Sequence, residues 1–306
     1  MEHDESPIPT TDLLALADSA LVPVARPLEF YMLPSRAPEH PIFLFEWSPR
    51  LALVDVAIVL CALVAIEILI GQSLSLFFDV PEPDTPAFDA FQRRLLLPVL
   101  IMRTAIVMAL VIGMLVRRGQ SLRSIGLGGQ FTITNGIIHM VIGIACTGVA
   151  YALLISWLVA SQYFWPGWIE EMGQNAQQLV NLIPAMHPLW FVPLMLMVGT
   201  YEEILFRGFV MTRLRRALGG WTPAVIVTTL LFTAAHVGDQ KLAAMPIIAG
   251  LSIIFSIATI WRRSLFPAII GHFLFNLSQM IGIYLSSPQW HSKVVPALWT
   301  GVLENR

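Results

Sequence analysis

The chain has 306 residues, of which 56% are hydrophobic and 12% charged, with a mean hydropathy of +0.72. Soluble domains carry about 25% charged residues, so the composition excludes an ordinary soluble protein and points to a polytopic membrane protein. A formal net charge of -2 without a basic stripe excludes nucleic acid as a partner. The 2 cysteines, Cys61 and Cys146, both fall in apolar runs and read as packing residues rather than a disulfide framework or a Cys-rich zinc site.

Residues 1–49 hold eight prolines with scattered charges and no apolar run of spanning length. They read as a cytoplasmic Pro-rich tail whose last part, Pro41 to Trp47, lies on the membrane surface. The acidic start, Met-Glu-His-Asp-Glu, lacks the basic region of a signal peptide. Spans are predicted over Leu51–Ile70, over Leu95–Val116 and, after a Gly-rich turn at Ser124–Gly129, over Gly136–Ala160, so residues 50–160 form the N-terminal transmembrane helices.

The stretch 161–187 contains no Lys or Arg. In it Trp168, Met172, Ala176, Leu179 and Ile183 recur at three- and four-residue spacing, opposite Glu170, Glu171, Gln174 and Gln178. That pattern predicts an amphipathic helix lying in the interface of an extracytoplasmic loop, with the glutamates on its solvated face. Four further spans follow, Pro188–Thr212, Trp221–Val237, Ala244–Trp261 and Leu265–Leu285, forming a helix core over 188–286 ahead of a C-terminal tail, 287–306. The expected fold class is all-α, a polytopic integral membrane helix bundle of about seven transmembrane helices plus one interfacial helix, without an internal repeat.

Lys and Arg clusters at 117–123, 213–216 and 262–263 fall in alternate loops, which puts the N-terminus in the cytoplasm and the C-terminus outside. Arg93 and Arg94, ahead of the second span, count against that orientation. Trp190, Trp221 and Trp261 sit at span ends, as an aromatic belt requires. Asp55, Glu67, Arg103 and His139 lie inside spans and are expected to pair with one another or to face headgroups.

The apolar run from Trp190 to Met211 contains Glu202, Glu203 and Arg207. Ionisable groups at the centre of a spanning helix cost about 2.5 to 3.5 kcal/mol each on insertion scales, so three within one short stretch need a reason. Glu203 and Arg207 are four apart, share a face and can pair. Glu202 sits about 100° round the helix, without a charge partner from its own helix. An intramembrane carboxylate of that kind marks a functional site, the plain alternative being a structural network between helices. Two later helices add Phe232 with His236, and His272 with Asn276, each at i, i+4. Either pair alone reads as interhelical glue; together the three helices bring groups suited to water activation and oxyanion binding. With these spans His236 lies near the outer end of its helix and Glu202 nearer the middle, a depth gap of about 10 to 15 Å at 1.5 Å per residue.

The motifs Glu202-Glu203-x-x-x-Arg207, Phe232-x-x-x-His236 and His272-x-x-x-Asn276, in that order, resemble those of the CaaX prenyl endopeptidase and bacteriocin-processing (CPBP, or Abi) intramembrane proteases. The resemblance covers roughly Trp190 to Leu285, and the Ser-Ile-Gly-Leu turn at 124–127 is similar to a feature of the family. It implies that 188–286 is a CPBP-like catalytic core that hydrolyses a peptide bond of a membrane-associated peptide or protein tail, with or without a lipid modification. It further implies that Glu202 with His236 activates water, that His272 and Asn276 donate to the oxyanion, and that Glu203 and Arg207 orient and balance these groups. No cofactor is favoured. A metalloprotease version of the family would use Glu202, His236 and His272 as zinc ligands, although no His-Glu-x-x-His occurs. Competing expectations for the same pocket are a small-solute or proton-coupled membrane carrier, disfavoured by the missing repeat, and a non-catalytic scaffold or immunity protein.

Overall fold

The computed structural model describes residues 48–82, 85–128, 132–182, 186–238 and 240–286. The predicted tails, except Ser48 and Pro49, and the surface segment Pro41 to Trp47 lie outside them, as do Gly129, Ile183 and the side chain of Leu179. Among the described residues there are helices and turns but no strand.

Helix α1 spans Pro49–Phe77, started by Ser48, whose hydroxyl accepts from the Leu51 N–H, and by proline in the first turn. Helix α2 spans Ala87–Arg117 and includes a π turn over Gln92–Leu96 that carries Arg93 and Arg94 on its exposed side. It begins well before the predicted Leu95. Helix α3, Ile133–Phe164, is capped by Thr132, and α4, Gly167–Leu182, is the predicted interfacial helix. Helix α5, Pro188–Leu218, is α-helical to Glu203, passes through a π segment over Ile204–Val210, and ends at Gly219 in the left-handed region. Helices α6, Trp221–Ala234, α7, Leu242–Arg262, and α8, Phe266–Ser286, complete the bundle.

Six of these helices, α1, α2, α3, α5, α7 and α8, are long and apolar enough to cross a membrane. The fifth predicted span, α6, is the short one. Its 14 residues rise about 21 Å, less than the ~30 Å of hydrocarbon in a bilayer. Ala234 therefore ends the helix before His236, although the apolar run continues to Val237. Burial grades the spans, with α8 between the extremes at 39%. In the most apolar window of α5 and α7 56% and 61% of residues are buried, against 17% in α1, α2 and α3. The core thus forms around α5, where Leu205, Phe209, Val210 and Met211 are fully enclosed.

Two close approaches fix α5. At Gly199 a Cβ would stand 3.2 Å from the backbone nitrogen of Phe273 on α8. At Gly208 it would stand 3.0 Å from the carbonyl oxygen of Ile125. Ile125 belongs to the turn Leu122–Ile125, closed by Gly126 at φ 83, whose carbonyl accepts from the Leu265 N–H at 3.1 Å. This turn is wedged between the π segment of α5 and the start of α8. Gly199→Val is expected to lower stability by about 1–3 kcal/mol through overpacking, and to slow turnover by moving Glu202 relative to α8. Thermal unfolding and kcat of protein in nanodiscs check this.

Of the scattered intramembrane charges, Glu67 and Arg103 pair between α1 and α2. Asp55 instead reaches outside the expected group. It accepts from Arg118 at 2.7 Å, with the Arg213 Nε 3.8 Å from its other oxygen. Arg213 is only 2% exposed, donates to Gln120 at 2.7 Å and lies 3.4 Å over the Phe209 ring. It was expected to face the cytoplasm with 215 and 216; it is part of the packed bundle. His139 stacks on Phe266 with ring centroids 5.9 Å apart.

Candidate active site

Glu202 and Glu203 close the α-helical part of α5, at the point where the π segment begins. Inserted π turns often mark functional positions in helices, and here one begins directly after the glutamates and carries Arg207. Arg207 Nη1 donates to Glu203 Oε1 at 3.0 Å, with both side chains 0% exposed. The same Oε1 lies 2.8 Å from Nδ1 of His272, so one carboxylate oxygen joins α5 to α8.

Glu202 points elsewhere. Its Oε2 lies 3.7 Å from His272 Nε2 and 4.0 Å from His236 Nε2, and this buried oxygen has no hydrogen-bond partner. His236 Nδ1 lies 2.8 Å from the Phe232 carbonyl. Because a carbonyl only accepts, Nδ1 carries the proton, and in the neutral ring the Nε2 lone pair faces Glu202. Short α6 closes the depth gap expected from sequence: His236 stands on the turn beyond the helix rather than on its outer end.

Phe232 links these groups. Its carbonyl fixes the His236 tautomer, its ring lies 4.2 Å below the Arg207 guanidinium, and its edge meets Phe206 at 5.0 Å. Phe255 stacks on His272 at 5.2 Å and completes the aromatic surround of Arg207. Such cation–π contact offsets part of the cost of burying a guanidinium that also has two nitrogens without hydrogen bonds.

Glu202, His236, His272 and Asn276 line one cavity of about 600 Å³. Glu203 and Arg207 do not line it; they stand behind the imidazole of His272. The rest of the wall is mostly apolar and comes chiefly from α5, α7 and α8, with Leu63 of α1, Leu100 and Arg103 of α2, Leu154 and Leu158 of α3, Phe232 of α6 and, unexpectedly, α4 through Ile169, Met172, Gly173 and Asn175. α8 is in turn held against α3, where Thr147 donates to the Gly271 carbonyl at 3.1 Å and the Tyr151 and Ser278 hydroxyls meet at 2.6 Å.

Tetrahedral zinc ligands at ~2.0–2.1 Å stand about 3.3 Å apart. The carboxylate-to-imidazole separations of 3.7 and 4.0 Å are wider, and no cluster of three His, Cys, Asp or Glu among the described residues is spaced to hold a metal ion. The three ligand atoms do not fit the ion as they stand, and no step below runs through one.

All six predicted site residues fall in residues 184–278, which match the family model described as type II CAAX prenyl endopeptidase Rce1-like. This match is consistent with the resemblance of the segment to the CPBP family. The match covers just under a third of the chain; no curated protein and no solved structure matches it. The family indicates a protease of the CAAX type acting within the membrane, and the long apolar helices make the CPBP segment part of a multi-pass integral membrane protein.

Two residues near the CPBP segment went unrecognised in the sequence. Glu171, read as solvated, accepts from the Ala243 N–H at 3.2 Å. Asn175 is 7% exposed and joins the loop after His236. Its position three residues after Met172, on the apolar side of α4, was the available signal.

Proposed function

We propose that the protein is an intramembrane endopeptidase that hydrolyses a peptide bond of a membrane-associated peptide or protein tail, without a metal. The observation that carries this reading is the unpartnered Glu202 Oε2 facing two imidazole nitrogens at the wall of a cavity. Two acceptors 4.0 Å apart subtend about 90° at a water ~2.8 Å from both, close to the angle between the two O–H bonds of that water. Glu202 and His236 would therefore each accept one hydrogen from the same attacking molecule.

As the water oxygen bonds to the carbonyl carbon, Glu202 takes its proton and the carbonyl oxygen becomes an oxyanion. His272 Nε2–H and the Asn276 amide donate to that oxygen. Collapse breaks the C–N bond, and Glu202 returns the proton to the leaving nitrogen. Glu203 pairs with Arg207 behind the site, which leaves Glu202 as the carboxylate that faces the cavity. Glu203 and Arg207 act through His272, holding its ring by Nδ1.

The test is cleavage by nanodisc-embedded protein of a quenched peptide ending in an S-farnesylated Cys-a-a-X tail, alongside its unmodified twin. Asn276→Ala is expected to lower kcat by about 10²–10³-fold with little change in KM, and turnover is expected to survive exhaustive chelation. Wild-type kcat in Asn276→Ala would remove that residue from the site. Activity lost to a chelator and restored by zinc would overturn the metal-independent chemistry.

A further inference from the structure

His236 stands on a turn outside any helix, where backbone freedom alone could move its imidazole. A group that positions the attacking water and is displaced by even ~1 Å can lose about 10²-fold in rate, so something must hold that turn. We propose that Asn175 of α4 is a positioning residue for His236, which makes the interfacial helix a working part of the site as well as a cover. This goes beyond the proposed function and rests on it only for its kinetic readout.

The connection is continuous. The His236 carbonyl accepts from the Gln240 N–H at 3.0 Å. The Gln240 side-chain oxygen accepts from the Asn175 amide at 2.6 Å, and the Asn175 oxygen accepts from the Lys241 N–H at 2.8 Å. Asn175 thus satisfies one group on each of two successive loop residues while being 7% exposed. One helical turn earlier Glu171 accepts from the Ala243 N–H, and from the other side Trp157 donates to the Ala243 carbonyl at 2.9 Å. Residues 240 and 241 are therefore hung on α4, and Ala243 is pinned between Glu171 and Trp157. Because α4 also walls the cavity beside Glu202, a displacement of this helix that widened the cavity would release the turn bearing His236. Opening and competence are then mutually exclusive, which keeps the water-activating pair from working on an unenclosed site.

The experiment compares wild type, Asn175→Ala and Asn175→Asp in nanodiscs, by turnover of the farnesylated quenched peptide and by hydrogen exchange of the 236–245 segment. Asn175→Ala is expected to lower kcat at least about 10-fold with KM within two-fold, and to speed exchange at Lys241 by a similar factor. Asn175→Asp is expected to restore both, because a carboxylate accepts from Lys241 N–H and from the Gln240 amide once that side chain turns over. The inference is overturned by wild-type kcat or unchanged exchange in Asn175→Ala, by a rise in KM alone, or by failure of Asn175→Asp to rescue. It is equally overturned if exchange rises throughout the spans, which would make Asn175 a general packing residue. If wild type cleaves neither peptide, the proposed function fails while the exchange comparison still decides the positioning role.

Discussion

Glu202→Gln is expected to lower kcat by about 10³-fold while leaving the fold intact. General acid–base groups contribute about 10²–10⁴-fold, and the amide keeps the shape of the carboxyl while losing its ability to take a proton. Since Oε2 has no hydrogen-bond partner to lose, thermal unfolding should stay near wild type, which separates a chemical defect from a structural one. His236→Ala should fall in the same range. Because the two would act on one water, the double variant should be scarcely worse than either single one. Turnover within 10-fold of wild type in Glu202→Gln, or clean multiplication of the two defects, would break the assignment.

The second large effect lies behind the site. Glu203 and Arg207 are each 0% exposed, and removing one partner of such a pair leaves an uncompensated buried charge, at a cost of about 3–5 kcal/mol. Glu203→Ala and Arg207→Ala are each expected to lose stability on that scale. Replacing both, as Glu203→Leu with Arg207→Met, removes the charge problem and should recover most of it, since apolar replacements of buried pairs are often neutral or better. Turnover should stay lost in the double variant, because His272 Nδ1 no longer has an acceptor. Thermal unfolding and kcat measured on the same samples read both predictions. Recovery of activity with stability would reduce Glu203 to a counter-charge for Arg207.

The parts of the fold legible in the sequence were those written in long-period hydropathy and in i, i+4 spacing. Apolar length located six spanning helices, and each of the three motifs places at least one residue on the wall of one cavity. The features that escaped depend on contacts. Nothing in Ile-Leu-Phe-Arg-Gly-Phe-Val distinguishes a π segment from an α-helical one; the Ile125 carbonyl against Gly208 and the aromatic surround of Arg207 are tertiary facts. The end of α6 at Ala234 was hidden because Ala235 and Val237 continue the apolar pattern around His236. Asp55 and Arg118 are 63 residues apart, and in sequence Arg213 is indistinguishable from the other cations of the 213–216 cluster, whereas Gln120 and Asp55 surround it in the fold. Glu171 sat on the polar side of the α4 pattern, yet the loop of α7 came down to meet it.

The contrast in enclosure between the spans bears on how freely each can change. In their most apolar windows α1, α2 and α3 leave most residues unburied by protein, and a lipid is indifferent to which of Leu, Ile, Val or Phe it touches, so those positions answer chiefly to a requirement for length and oiliness. On α5 and α7 each neighbour is a shaped protein surface, and an exchange of one aliphatic group for another must be met by a fitting change opposite. The demand for shape is accordingly heaviest on α5 and α7, and on the outer helices it falls on the few positions that reach inward, such as Thr147 and Tyr151 on α3 and Arg103 on α2.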